Sequence, residues 1–131
     1  MCNPKEVVRR NYEDLKGARL IKLGEGVYVG RNFLKDVLVY VEQDKGIFVH
    51  CVGDCFKGTG CVVYEAKGNL SKEEVAVEEL GLSPLFPTRK ASTALLSLLE
   101  ASRVLGLKQL EVAYGFILDK VNEGALMDLD Q

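Results

Sequence analysis

The chain has no apolar run long enough to enter a bilayer. Its longest, 37–41, is five residues, against the roughly 20 that a transmembrane helix needs. Nor does the N-terminus, Met1-Cys2-Asn3-Pro4-Lys5-Glu6, carry the apolar core of a secretory signal. A cytoplasmic protein with no membrane partner is the expectation. Net charge is nearly absent as well: 17 Lys and Arg face 19 Asp and Glu, with one His, for a formal −2. Such a balance exerts no general pull on a polyanion. Lys5, Arg9, Arg10, Lys16, Arg19 and Lys22 crowd the first 22 residues, but Glu6, Glu13 and Asp14 lie among them. That mixture describes a solvated helix face, so nucleic acid is not an expected partner. Also missing are a P-loop, a GxGxxG turn, a CxxC pair and a Ser-His-Asp pattern. No internal repeat or low-complexity linker occurs, and no motif names a reaction.

What is present is the makeup of one folded domain. Of 131 residues, 47% are apolar and 27% charged, the proportions of a globular chain. A chain of this length buries about two-thirds of its unfolded surface and needs no staples.

Asn3-Pro4-Lys5-Glu6 predicts a helix start, with an Asn cap, Pro at the first position and Glu three residues after the cap. Val8, Tyr12 and Leu15 share one face, and Gly17 stops the helix. Short strands are expected at 18–23 and 27–29, around Gly24-Glu25-Gly26. Segments 36–42 and 47–52 are β-branched and apolar, and Gln43-Asp44-Lys45-Gly46 joins them as a hairpin. The second is apolar on both faces, as a central strand is. Another strand is expected at 61–66. Ser71-Lys72-Glu73-Glu74 has the form of a capping box and predicts a helix ending at Gly81, followed by a connection stiffened by Pro84 and Pro87. Thr88 reads as the cap of the longest helix, which runs to about Leu105 before Gly106, and 110–118 reads as a last strand.

The order α-β-β-β-β-β-α-α-β predicts a single α+β domain: a mainly antiparallel sheet of five or six strands, with three helices. The helices should cover one face of that sheet. An apolar second face would then need another subunit, so a homodimer or higher homo-oligomer is expected.

Two regions bear chemistry. If Thr88 caps a helix, Arg89 and Lys90 occupy its first turn, where cations oppose the helix dipole by about 0.3–1 kcal/mol each. A helix N-terminus offers free N–H groups to an anion, and cations strengthen that offer. Thr88, Arg89, Lys90, Ser92 and Thr93 therefore suit a small anionic, phosphate-bearing ligand. Lys57, in the turn Phe56-Lys57-Gly58-Thr59-Gly60, offers a second contact. The competing reading has Arg89 and Lys90 facing solvent or paired with Glu78 and Glu79.

The second region runs from His50 to Cys61 and gathers the lone His with Cys51, Cys55 and Cys61. Soft ligands this close suggest zinc or an iron–sulfur centre. The spacing C-x3-C-x5-C matches no standard metal knuckle, and alternation sends His50 and Cys51 to opposite faces of their strand. Core residues are the competing reading: cysteine as a small apolar side chain, His50 as a satisfied buried histidine. The cysteines are expected to be thiols or ligands, with a Cys55–Cys61 bridge as one alternative. Asp36 and Glu111 read as strand-edge carboxylates.

Three pieces of the chain, 52–61, 67–71 and 86–89, resemble in order short pieces of the U-type iron–sulfur scaffold proteins. The resemblance implies a cluster held by three cysteines. Only Cys61 falls in place here; Leu34 and the neighbourhood of Ser92 stand where the other two belong. Non-catalytic anion binding at the Thr88 helix is thus the leading expectation. Metal handling through Cys51, Cys55, Cys61 and His50 is the first alternative, and a homo-oligomeric interaction protein the second.

Overall fold

A computed structural model describes residues 3–52, 60–68, 72–88, 91 and 93–124. Helix α1 (Pro4–Glu13) begins as its residues require: the Asn3 side chain accepts from the Glu6 N–H at 2.9 Å, and Pro4 fills the first turn. Five strands follow in meander order: β1 (Arg19–Gly24), β2 (Val27–Gly30), β3 (Asp36–Tyr40), β4 (Lys45–Val52) and β5 (Gly60–Lys67). The β3–β4 hairpin sets Tyr40 opposite Gly46 and Asp36 opposite His50. Strands β4 and β5 pair along their whole length, from Lys45↔Lys67 to Val52↔Gly60.

The α+β class, the antiparallel sheet and three α-helices agree with the sequence, and the sheet has seven strands where five or six were expected. After residue 72, three segments differ from expectation. The segment expected to be a helix before Gly81 is a short strand, β6 (Glu74–Ala76), and one 3-10 turn, Val77–Glu79. The proline-containing connection is strand β7 (Gly81–Pro87). The expected last strand, 110–118, lies inside helix α3 (Lys108–Asn122).

Each difference has a physical cause. Val75, Val77 and Leu80 bury themselves beside β1, and pairing of 74–76 with Arg19, Leu20 and Ile21 outweighs local helix propensity. Strand β7 lies at the edge of the order β6-β1-β2-β3-β4-β5-β7, where Pro84 breaks no ladder on its outer side. A register shift between Val63 and Tyr64 further accommodates it. In α3 the buried residues are Leu110, Ala113 and Ile117, while Val112 and Leu118 are exposed. That is a helical period, hidden in a run apolar enough to pass for a strand.

Helix α2 (Ala94–Leu105) also starts later than expected. Its cap is Thr93, whose hydroxyl accepts from the Leu96 N–H at 3.2 Å, and Gly106 ends it in the left-handed conformation.

The helices divide between the two faces of the sheet. Helices α2 and α3 pack Leu98, Ala101, Leu110 and Ile117 over Val29, Val37, Val49 and Val63. On the other face Val7, Val8 and Leu15 pack against Leu38, Phe48, Val62 and Tyr64. Both apolar faces are therefore covered within one chain, which removes the premise on which a second subunit was expected. No helix among the described residues is long and apolar enough to cross a membrane.

Among the described residues, the buried Tyr40 hydroxyl has no hydrogen-bond partner, and burial raises the pKa of its phenol. The Tyr64 hydroxyl, equally buried, donates to Asn11 Oδ1. Tyr40→Phe should leave stability unchanged or raise it by about 1–2 kcal/mol, whereas Tyr64→Phe should lower it by roughly 1–3 kcal/mol. Denaturant midpoints of the two variants at equal m-value check the contrast.

Candidate functional site

The densest polar cluster lies between α1 and the sheet. Asp36 and His50 are direct partners across β3 and β4, and both side chains turn toward α1. His50 Nδ1 stands 2.5 Å from Asp36 Oδ1, and Nε2 stands 2.8 Å from Asp14 Oδ2 at the end of α1. Lys35 Nζ lies 3.4 Å from the same Asp14 oxygen. The His50 ring stacks on Phe48 with centroids 6.2 Å apart. Asp36 folds over Gly30, where a Cβ would stand 2.6 Å from the Asp36 Cβ; only glycine fits beneath it.

Asn11 completes the cluster from α1. Fully buried, its amide nitrogen donates to the His50 carbonyl at 2.6 Å and to the Gly60 carbonyl at 2.5 Å. Its amide oxygen accepts from the Tyr64 hydroxyl, whose phenol burial holds well above the ordinary tyrosine range. Each nitrogen of His50 faces a carboxylate, so neither is free to serve as a base or a metal ligand. The cluster anchors α1; it has no nucleophile. His50 is the satisfied core histidine weighed above. Asp36, expected at a strand edge, is a buried partner of it, and Glu111, expected on a strand, is an exposed residue of the first turn of α3.

Of the residues expected to bind an anion, Thr88 and Thr93 are described, near the end of the sheet where β4 leaves and β5 enters. Thr88 does not cap a helix. Its N–H donates to the Cys61 carbonyl at 3.0 Å, extending the β5–β7 pairing, and its hydroxyl lies 3.4 Å from that of Ser97. Thr93 is the true cap, and the Ala94 N–H donates to the Leu34 carbonyl at 2.7 Å. Lys57, Arg89, Lys90 and Ser92 lie outside the described residues. Because α2 begins at Ala94, Arg89 and Lys90 precede its cap, and the cost assigned to cations in a first helical turn does not apply to them. Glu79, a partner weighed for them, pairs with Lys72 at 2.6 Å.

The cysteines depart from expectation. Cys51 and Cys61 are register partners across β4 and β5 and form a disulfide. They are neither thiols nor ligands here, and a Cys55–Cys61 bridge is excluded by that pairing; Cys55 lies outside the described residues. The bridge sits on the α2 and α3 face, His50 on the α1 face. No group of three His, Cys, Asp or Glu among the described residues is placed to hold a metal. The Leu34 carbonyl accepts from the Ala94 N–H at the start of α2, and the sulfur of Cys61, the one cysteine that the iron–sulfur resemblance puts in place, is committed to Cys51.

Two measurements follow. Asn11→Ala removes three hydrogen bonds that tie α1 to β4 and β5, and should cost roughly 2–4 kcal/mol in denaturant titration. A thiol assay on protein unfolded without reductant should count no more than two thiols, since Cys51 and Cys61 are bridged, and four, the full complement of cysteines, after reduction. Reduction, which opens a loop of sequence separation 10, should cost roughly 2–3 kcal/mol by the chain-entropy relation.

No family model matches the chain, and no curated protein or solved structure shows a significant match to it.

Proposed function

We propose that the protein binds, without catalysis, a small phosphate-bearing anion at the end of the sheet where β5, β7 and α2 meet. Thr88, Arg89, Lys90, Ser92 and Thr93 would contact it from one connection, and Lys57 from the other. The observation that carries this reading is topological. The connections 53–59 and 89–92, which hold three cations, both depart from the same sheet end, because Val52 pairs with Gly60 and Thr88 bonds to Cys61.

The first turn of α2, which starts at that end, has no acidic residue to oppose an anion. Two of its first N–H groups are engaged already, Ala94 by Leu34 and Leu96 by Thr93. The cationic side chains must therefore supply most of the affinity, as charge-assisted bonds to phosphate do. The one histidine, His50, is held between two carboxylates on the other face and is not placed to activate the hydroxyls at this end.

The test is a thermal shift with pyrophosphate, a nucleotide and sulfate at constant ionic strength. A ligand at one hundred times its Kd stabilises the native state by about 2.7 kcal/mol, and wild type should show that shift with at least one phosphate. Arg89→Glu with Lys90→Glu should abolish the shift while changing unliganded stability by no more than about 0.5 kcal/mol. No shift in wild type, or a shift that survives in the double variant, would refute the reading.

A further inference from the structure

The opposite end of the sheet has a cleft that the anion site does not use. It measures about 540 Å³ and lies between α3 and the ends of β2 and β3. Its walls are apolar: Val27 and Val39 from the sheet, Val112, Ala113 and Phe116 from the helix. Phe116 closes one side because residue 24 is glycine; a Cβ there would stand 2.6 Å from the ring. The size falls in the range of small-molecule pockets, about 300–1,000 Å³.

Two charged residues line the rim, Glu25 and Lys108. Lys108, the first residue of α3, lines the cleft and makes no ion pair among the described residues. The cap residue Leu107 offers the first N–H groups no side chain, so the positive end of the helix dipole adds to the ammonium group. Of the nearby acids, Glu25 is paired with Lys22 at 3.7 Å, and Glu111 does not line the cleft. An apolar trough with an unneutralised cation at its mouth is complementary to one ligand chemistry.

We propose that this cleft binds a small amphipathic monocarboxylate, its apolar body against Val39, Ala113 and Phe116 and its carboxylate at Lys108. The probe is decanoate below its micellar concentration, with decylamine as the same chain of opposite charge and acetate as the head group alone. Titration followed by amide NMR should give saturable shifts at 24–27, 39–40 and 108–116 with decanoate and none with acetate. Lys108→Glu, an exposed change, should weaken decanoate about tenfold, the worth of one charge-assisted bond, and strengthen decylamine. Val112→Asn, a neutral polar change also at an exposed position, should weaken both. The Arg89→Glu, Lys90→Glu variant should bind decanoate as wild type does, which separates this site from the anion site. Absence of saturable decanoate shifts in wild type, shifts scattered away from α3, or indifference to Lys108→Glu would overturn the proposal.

Discussion

The fold depends on one buried amide. Asn11 bridges the carbonyls of His50 on β4 and Gly60 on β5, and takes the Tyr64 hydroxyl as its third partner. A short, mostly polar helix has little apolar surface with which to hold a sheet. Here a polar side chain does it instead, and it can, because every partner it needs is supplied and water is excluded. The pair of carboxylates on His50 completes the arrangement: Asp14 comes from α1, Asp36 from the sheet. Without them the ring would be a buried polar group of high cost. With them it fixes where α1 ends.

That anchor explains how the sheet comes to have two dry faces. Four of its strands alternate between two cores, with Val37, Val49 and Val63 on one side and Leu38, Phe48 and Tyr64 on the other. A sheet apolar on both sides requires a layer on each. The C-terminal helices supply one by ordinary apolar packing, and α1 supplies the other through polar docking. The outer strands end the sheet safely: β7 carries Pro84, and β6 is only three residues long.

Covering both faces leaves the two ends of the sheet as the places where chemistry can meet solvent. One end collects the hydroxyls of Thr88 and Thr93 and the connections that bear Lys57, Arg89 and Lys90. The other opens the apolar trough beneath α3. The Cys51–Cys61 bridge belongs to the first end, where it ties β4 to β5 beside the departure of 53–59. The cluster around His50 holds both ring nitrogens between Asp36 and Asp14 and serves to dock α1 on the sheet.

Local features settled a good part of this molecule in advance. The cap and proline at Asn3 and Pro4 determined α1, and β-branched runs about Gly46 determined the central hairpin. The Asp36–His50 pair was not legible: the expected connection 43–46 would set 42 against 47, whereas the observed register sets Tyr40 against Gly46 and therefore 36 against 50. The sequence could not show which way 72–80 and 110–118 would fold. Capping-box residues at 71–74 suit a helix start, yet pairing with β1 decided for a strand. Nine mostly apolar residues satisfy a strand and a helix alike, and only packing of Leu110, Ala113 and Ile117 against the sheet chose the helix. The start of α2 was misplaced for the same reason: Thr88 and Thr93 are equally good caps, and the bond from Thr88 to Cys61 removed the first from contention. Asn11 was invisible because its partners lie 39, 49 and 53 residues away. Short-range chemistry governs how elements begin; contacts distant along the chain govern which elements they are and what they enclose.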